Sequence, residues 1–268
     1  VSIIHGTDGP SHHEVQNGVQ LNFVKFSNKR GVAWWFNFRA VNQALKDLHK
    51  KTPIDIVEGS EMSFSFIEKI SGIKYVIRLH GGHHFFAKGE NRGINRWKGI
   101  QEKRSFAKAD AYIGVSQYVI DHTSTYISFQ NRPTKVIFNP IDLELFSGAS
   151  LESIVPYNLV FVGTLVEKKG IRQLIEAFPF ILERFPKVKL SIYGRDWKDS
   201  KGNSFRSRLE RIIPVELKNK ICFFGPVDRN LLPDIYASAH VCVFPSHIET
   251  LGLVAPEAMA MNRAVVFS

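Results

Sequence analysis

Sulfur is scarce in this chain: 268 residues hold only two cysteines and three methionines. Two cysteines cannot build a disulfide framework or a cysteine-rich zinc site. Cys222 and Cys242 each lie in a strand-like apolar run (ICFFG and VCVFP), so both read as buried, reduced thiols in a reducing, cytoplasmic setting. No run of about 18 apolar residues occurs, which excludes a transmembrane helix by the usual length criterion. The opening VSIIHGTDGP lacks the charged start and apolar core of a signal peptide. Acidic residues are also in short supply, 25 against 35 basic, for a net charge of +10. The excess is spread over both halves rather than gathered into a tail or stripe. That pattern disfavours nucleic acid and suits a nucleotide, a phosphate ester or an anionic membrane surface.

What the chain does have is alternation. Short apolar runs at 21–25, 54–58, 75–79, 111–115, 135–138, 159–162, 189–193, 221–224, 241–244 and 264–267 read as strands, with helical patterns between most of them. The clearest helix covers 170–185, where Ile171, Leu174, Ile175, Phe178, Ile181, Leu182 and Phe185 recur at offsets of three and four. Pro179 falls inside it and predicts a kink. Several strands are apolar on both faces, so the fold class is α/β with parallel sheets covered by helices. The length suits two domains. Small polar residues and a proline at 146–157 (FSGASLESIVPY) place the boundary there, giving domains of 1–150 and 151–268.

In open α/β sheets ligands collect beyond the carboxyl ends of the strands, so the segments that follow strands carry most weight. After the 241–244 run comes PSHIETLGLVAPEAMA, in which Glu249 sits on a loop and Glu257 in the first turn of a helix opening near Leu253 or Val254. Free N–H groups from Leu251 through Gly252 and Leu253 to Val254 suit a diphosphate. Carboxylates beside them accept hydrogen bonds from sugar or ribose hydroxyls. The plain alternative is that Glu257 complements a helix N-terminus and Glu249 is a solvated loop charge. After the 159–162 run, GTLVEKKG puts Gly163 at a strand end and Lys168 and Lys169 ahead of the next helix, able to neutralise a leaving phosphate or simply to be a solvated pair. It matches neither a phosphate-loop nor a dinucleotide fingerprint. In LHGGHH, His80 projects from a strand end and Gly81 and Gly82 permit close backbone approach, while His83 and His84 are read as exposed. No metal site is expected, since no carboxylate or cysteine stands at ligand spacing. Trp34, Trp35, Phe36 and Phe38 read as core or as a domain-face patch, with an acceptor-facing or membrane-facing role open.

In order, the blocks LHGG, EKRSFAKADAYIGVSQYVID, KVIFNPIDLELF, LVFVGTLVEKKGIRQLIEAF, KLSIYGRD, FFGPV, LPDIYASAHVCVFPS and ETLGLVAPEAMA resemble the retaining, nucleotide-sugar-dependent glycosyltransferases of the GT-B fold with the E-x(7)-E motif (glycosyl transferases group 1). The resemblance covers roughly residues 54 to 268. It implies two Rossmann-like domains facing a cleft, the first on the acceptor side and the second binding the sugar nucleotide. By the same resemblance Glu257 holds the ribose, Glu249 the donor sugar's hydroxyls, and the 251–254 backbone the diphosphate and sugar. Lys169 matches the diphosphate lysine and His80 the histidine near the reacting carbon, while Asn139 and Asp142 fall in a structural block. Thr164 stands where many members carry an arginine, and Arg195 is the neighbouring cation able to substitute. Both ends look shortened: the first domain without its opening strand and glycine-rich loop, the second without its last units. The implied activity is transfer from a UDP-, GDP- or ADP-sugar to a glycan or lipid-linked acceptor with retention, without metal or other cofactor, in polysaccharide or lipopolysaccharide assembly. The cysteines point to the cytoplasm, and the basic charge to loose peripheral contact with the inner face of an anionic membrane. The alternatives are a sugar-nucleotide epimerase or hydrolase on the same scaffold, or a non-catalytic nucleotide-sugar-binding fragment.

Overall fold

A computed structural model describes residues 1–268, which divide into two compact units, Val1–Phe138 and Asn139–Ser268. The first unit opens with β1 (Ser2–Thr7), β2 (His12–Gln16) and β3 (Val19–Lys25), followed by α1 (Ala33–Lys51). It continues through β4 (Ile56–Gly59), β5 (Lys74–Leu79), α2 (His83–Gly89), α3 (Arg96–Lys108), β6 (Ala111–Gly114), α4 (Gln117–Ser124) and β7 (Thr134–Val136). Strands β4-β5-β6-β7 form a parallel four-stranded sheet in that order. A separate three-stranded sheet, ordered β1-β3-β2, pairs β1 parallel and β2 antiparallel to β3. The β2–β3 hairpin closes on Asn17-Gly18, both at positive φ, as a two-residue turn that follows the strand twist requires. Neither β1 nor β2 is among the strands expected from periodicity. Every residue of β2 is exposed, so it carries no apolar signal.

The second unit holds β8 (Asn158–Val162), α5 (Ile171–Arg184), β9 (Lys189–Tyr193), α6 (Phe205–Ile212), β10 (Ile221–Gly225), α7 (Leu232–Ser238), β11 (Val241–Phe244), α8 (Val254–Ala260) and β12 (Ala264–Phe267). Its five strands form one parallel sheet, β10-β9-β8-β11-β12. Alternation along β8 divides the core in two. Phe161 packs with Ile171, Phe178, Leu190 and Leu209 under α5 and α6, whereas Val160 and Val162 pack with Tyr236, Cys242 and Ala258 under α7 and α8. Helix α5 runs through Pro179 without interruption. Serine or asparagine side chains cap three helices: Asn95 accepts from Lys98 N, Ser116 from Val119 N and Ser204 from Ser207 N.

One expectation needs correction, that both cysteines are buried. By contact the two units divide before Asn139, and the composition change lies at 146–157. Phe146 is fully buried in the second unit's core, with Ile141 and Leu145 packed against the same cluster. Of the two cysteines only Cys242 is buried; Cys222 is exposed, because β10 is an edge strand and alternation turns Cys222 away from the face that buries Ile221.

Candidate functional site

The segments beyond the carboxyl ends of β8, β9 and β11 meet at one edge of the second unit. Past β8, Gly163 N donates to Tyr193 O at 2.9 Å and Leu165 N to Arg195 O at 2.9 Å. Thr164 and Arg195 therefore sit on neighbouring backbone segments, with Thr164 half-buried and Arg195 exposed. His247 N, past β11, donates to Lys168 O at 2.9 Å and ties the GTLVEKKG loop to the loop that carries Glu249.

That tie brings two of the sequence-derived residues into contact. Lys169 Nζ forms an ion pair with Glu249 Oε2, each side chain 25% exposed. Glu249 Oε1 accepts from Thr250 N at 3.1 Å. Glu249 is thus a paired, half-buried carboxylate and not a solvated loop charge. Gly252 lets the loop turn beneath it: its φ is +70°, and an added Cβ would lie 2.9 Å from Glu249 Cγ.

Helix α8 opens at Val254 with no side-chain cap, and Glu257 lies in its first turn as expected. Glu257 Oε2 accepts from the hydroxyl of Tyr236 at 3.2 Å. Burial raises the Glu257 carboxyl above its ordinary range, against the opposing pull of that hydroxyl and of the Arg229 guanidinium. Burial, with Glu257 beside it, also drives the Tyr236 phenol far above its usual value. Tyr236 and Arg229, which act on Glu257, are candidate-site neighbours that the sequence reading passed over. Tyr236 lies in the LPDIYASA block, yet nothing local distinguishes it from a core aromatic. Arg229 pairs with Asp142 at 3.4 Å, and Leu145 N donates to Asp142 Oδ1 at 3.1 Å, so Asp142 supports a turn.

In the first unit the three histidines of LHGGHH part company. His80 stays solvent-accessible at the end of β5, and partial burial together with Arg78 holds its imidazole below the usual range. His83 Nε2 accepts from Asn95 N at 2.8 Å. His84 is buried, contrary to the expectation of exposure, because its Nδ1 meets the fully buried Glu102. The other oxygen of Glu102 has no partner and lies under Gly82, where any Cβ would collide with it. Glu61 Oε1 accepts from His80 N at 2.6 Å and so fixes the backbone of the His80 turn. Burial raises the Glu61 carboxyl, and Glu102 adds to the shift. A pocket of about 220 Å³ opens here, lined by Ser60, Glu61, Gly82, His83, Arg92 and Lys98 among others. Neither Glu61 nor Glu102 is visible as special in sequence, since each is one carboxylate among many.

Comparison with known proteins gives two family matches. Residues 1–145 match the model for Glycosyltransferase Family 4, and residues 156–268 match that for Glycosyl transferases group 1. An uncharacterised glycosyltransferase of Methanocaldococcus jannaschii is 40% identical over 286 residues, covering 98% of this chain and 70% of that protein. The mannosylfructose-phosphate synthase of Agrobacterium fabrum is 33% identical over 107 residues, covering 39% of this chain and 24% of that enzyme. Among solved structures, sucrose-phosphate synthase from Thermosynechococcus elongatus superposes with a TM-score of 0.75 at 19% identity, over 99% of this chain and 70% of that one. That likeness concerns the fold, which is α/β of the GT-B type.

Proposed function

This chain belongs to glycosyltransferase family 4, and from that premise we propose that it moves a sugar from a nucleoside diphosphate donor to a hydroxyl of a glycan or lipid-linked acceptor with retention at the anomeric carbon. The observation that carries this reading is the meeting of Lys169 and Glu249 on loops beyond β8 and β11, with Glu257 in the helix that follows. Each group has a task suited to its chemistry. Glu257, oriented by Tyr236, accepts from the ribose hydroxyls. Glu249 accepts from the donor sugar's hydroxyls, and the 251–254 backbone faces the diphosphate and sugar. Lys169 stabilises charge that builds on the departing diphosphate. Arg195, on the segment beside Gly163 and Thr164, supplies the second cation where many relatives place an arginine at Thr164. His80 attends the reacting carbon.

In the retaining step the bond from the anomeric carbon to the phosphate oxygen breaks, and a bond to the acceptor oxygen forms on the same face. The acceptor's proton passes to the leaving phosphate. Incubation of each of the UDP-, GDP- and ADP-sugars with a glycan and a polyprenyl-phosphate-linked acceptor, followed by NMR of the product, tests this reading. The expected product keeps the donor's anomeric configuration and appears only with acceptor. Free sugar or an altered sugar nucleotide without acceptor would replace transfer by hydrolysis or epimerisation.

A further inference from the structure

The first unit carries a surface that the proposed chemistry does not use. At the start of α1, Trp34 and Phe38 turn inward onto Phe66, with ring centroids 4.5 and 5.3 Å apart. The opposite side of the same turns is occupied by Val32, Trp35, Phe36 and Arg39, at offsets of zero, three, four and seven. One helical face that meets water is therefore largely apolar. Helix α3 repeats the arrangement with Trp97 and Ile100, while Gly99, Glu102, Ser105 and Phe106 form its buried face. The two faces are joined, since Trp97 lies 5.4 Å from Trp34 and stacks on Phe66 at 5.8 Å. Val32, Trp35, Phe36, Trp97 and Ile100 are each between 39% and 52% exposed.

Charge around this surface is mostly of one sign, Glu68 being the exception: it pairs with Lys46 at 2.5 Å and feels the Arg39 guanidinium. From residue 15 to residue 46 the sequence contains no aspartate or glutamate, and α3 has a single acidic residue, Glu102, which is buried. The exposed charges of the two segments are cations, among them Arg30, Arg39, Arg96 and Lys103. Two cations also rest over the exposed rings: the Arg39 guanidinium lies 5.3 Å from the Trp35 ring centre and Lys29 Nζ lies 5.5 Å from that of Phe36. Exposed indole and phenyl rings bordered by long basic side chains, with Glu68 at the edge already paired to Lys46, match the boundary between lipid headgroups and acyl chains. The rings enter the apolar side there and the cations meet anionic phosphates.

We propose that this face, formed by the start of α1 and the outer side of α3, seats the first unit on an anionic lipid bilayer. The inference stands on the surface alone and does not depend on the transfer reaction. It is tested by flotation of the whole chain with vesicles of phosphatidylglycerol and phosphatidylcholine, and with phosphatidylcholine alone, at low and high salt. Indole emission is followed in a Trp197→Phe background to remove the exposed tryptophan of the second unit. Expected are binding to the anionic vesicles that weakens with salt, a blue shift of the emission, and quenching by bromine-labelled acyl chains. Trp35→Ser with Trp97→Ser should abolish the quenching and lower partitioning at least tenfold. Arg96→Gln with Lys103→Gln should lower it about fivefold per cation while leaving the shift of the remaining bound protein intact. All four positions are solvent-facing, and an unchanged melting temperature verifies the fold of each variant. Failure to bind anionic vesicles overturns the proposal. So does binding that the tryptophan pair leaves unaltered, or binding without quenching. Preferential capture of a single-stranded oligonucleotide over vesicles would reassign the face to nucleic acid.

Discussion

Glu249→Gln separates the two jobs assigned to the Lys169–Glu249 pair. The carboxylate neutralises the lysine that the diphosphate needs, so an incoming phosphate has to displace it. With each side chain a quarter exposed, such a pair contributes on the order of 1 kcal/mol or less. Glutamine keeps an oxygen for Thr250 N but removes the charge. A nucleoside diphosphate without sugar should therefore bind the variant more tightly, by up to about fivefold. The sugar's own increment moves the other way. A hydrogen bond to a charged group contributes about 1.5–3 kcal/mol and a neutral one about 1 kcal/mol, so the sugar's share of affinity falls by about twofold to thirtyfold, with about fivefold inside that range. Titration calorimetry with the free diphosphate and the matching sugar nucleotide reads both effects. The expected result is a preference for sugar nucleotide over diphosphate reduced about fivefold, with the diphosphate itself gaining. Parallel weakening of both ligands would refute the reasoning and reduce Glu249 to a support for the loop above Gly252.

Other outcomes follow from particular groups. Tyr236→Phe removes the hydroxyl that Glu257 accepts, at 3.2 Å, and should weaken nucleotide binding by about fivefold, checked by the same titration. Burial raises the Glu61 carboxyl in the folded state, so the stability it confers is complete below its unfolded value near 4.5 and is lost as pH rises through the folded value. Glu61→Gln cannot ionise and retains an acceptor for His80 N. The melting temperature of the variant relative to the parent should climb from pH 4.5 toward neutrality by a few degrees, and a difference independent of pH would contradict the assignment. A maleimide should label one thiol in the native protein, Cys222, and reach Cys242 only on unfolding, since burial pushes that thiol up to about 12. Mass spectrometry of the labelled peptides decides the matter.

The strands of the two parallel sheets, and β3, were legible as short apolar runs: each of the ten expected runs overlaps a strand, including 159–162 and 241–244 at the candidate site, although exposed edge strands such as β12 are buried on neither face throughout. The rest of the three-stranded sheet was not, although Asn17-Gly18 offered a hairpin signal that a polar β2 did not reinforce. The composition change begins at Phe146, whose burial in the second unit's core a small, polar segment does not announce. At the site, spacing placed Glu257 in the first turn of α8 and the Lys169 and Glu249 loops beyond their strands. Contacts across long separations remained invisible, such as Lys169 with Glu249 and Tyr236 with Glu257. Buried charge was the hardest to foresee. His84 and Glu102 look like surface residues in sequence and meet only through the packing of α2 on α3.

The central claim is that the second unit holds a sugar nucleotide through Glu257 and the Lys169–Glu249 loops. Saturation-transfer NMR of the whole chain against UDP-, GDP- and ADP-sugars, repeated with Glu257→Ala, tests it most directly. The account predicts binding selective for one base, with saturation strongest on the ribose protons, and its loss in the variant. Binding that Glu257→Ala leaves unchanged, or no binding by folded protein to any of the three, would contradict it.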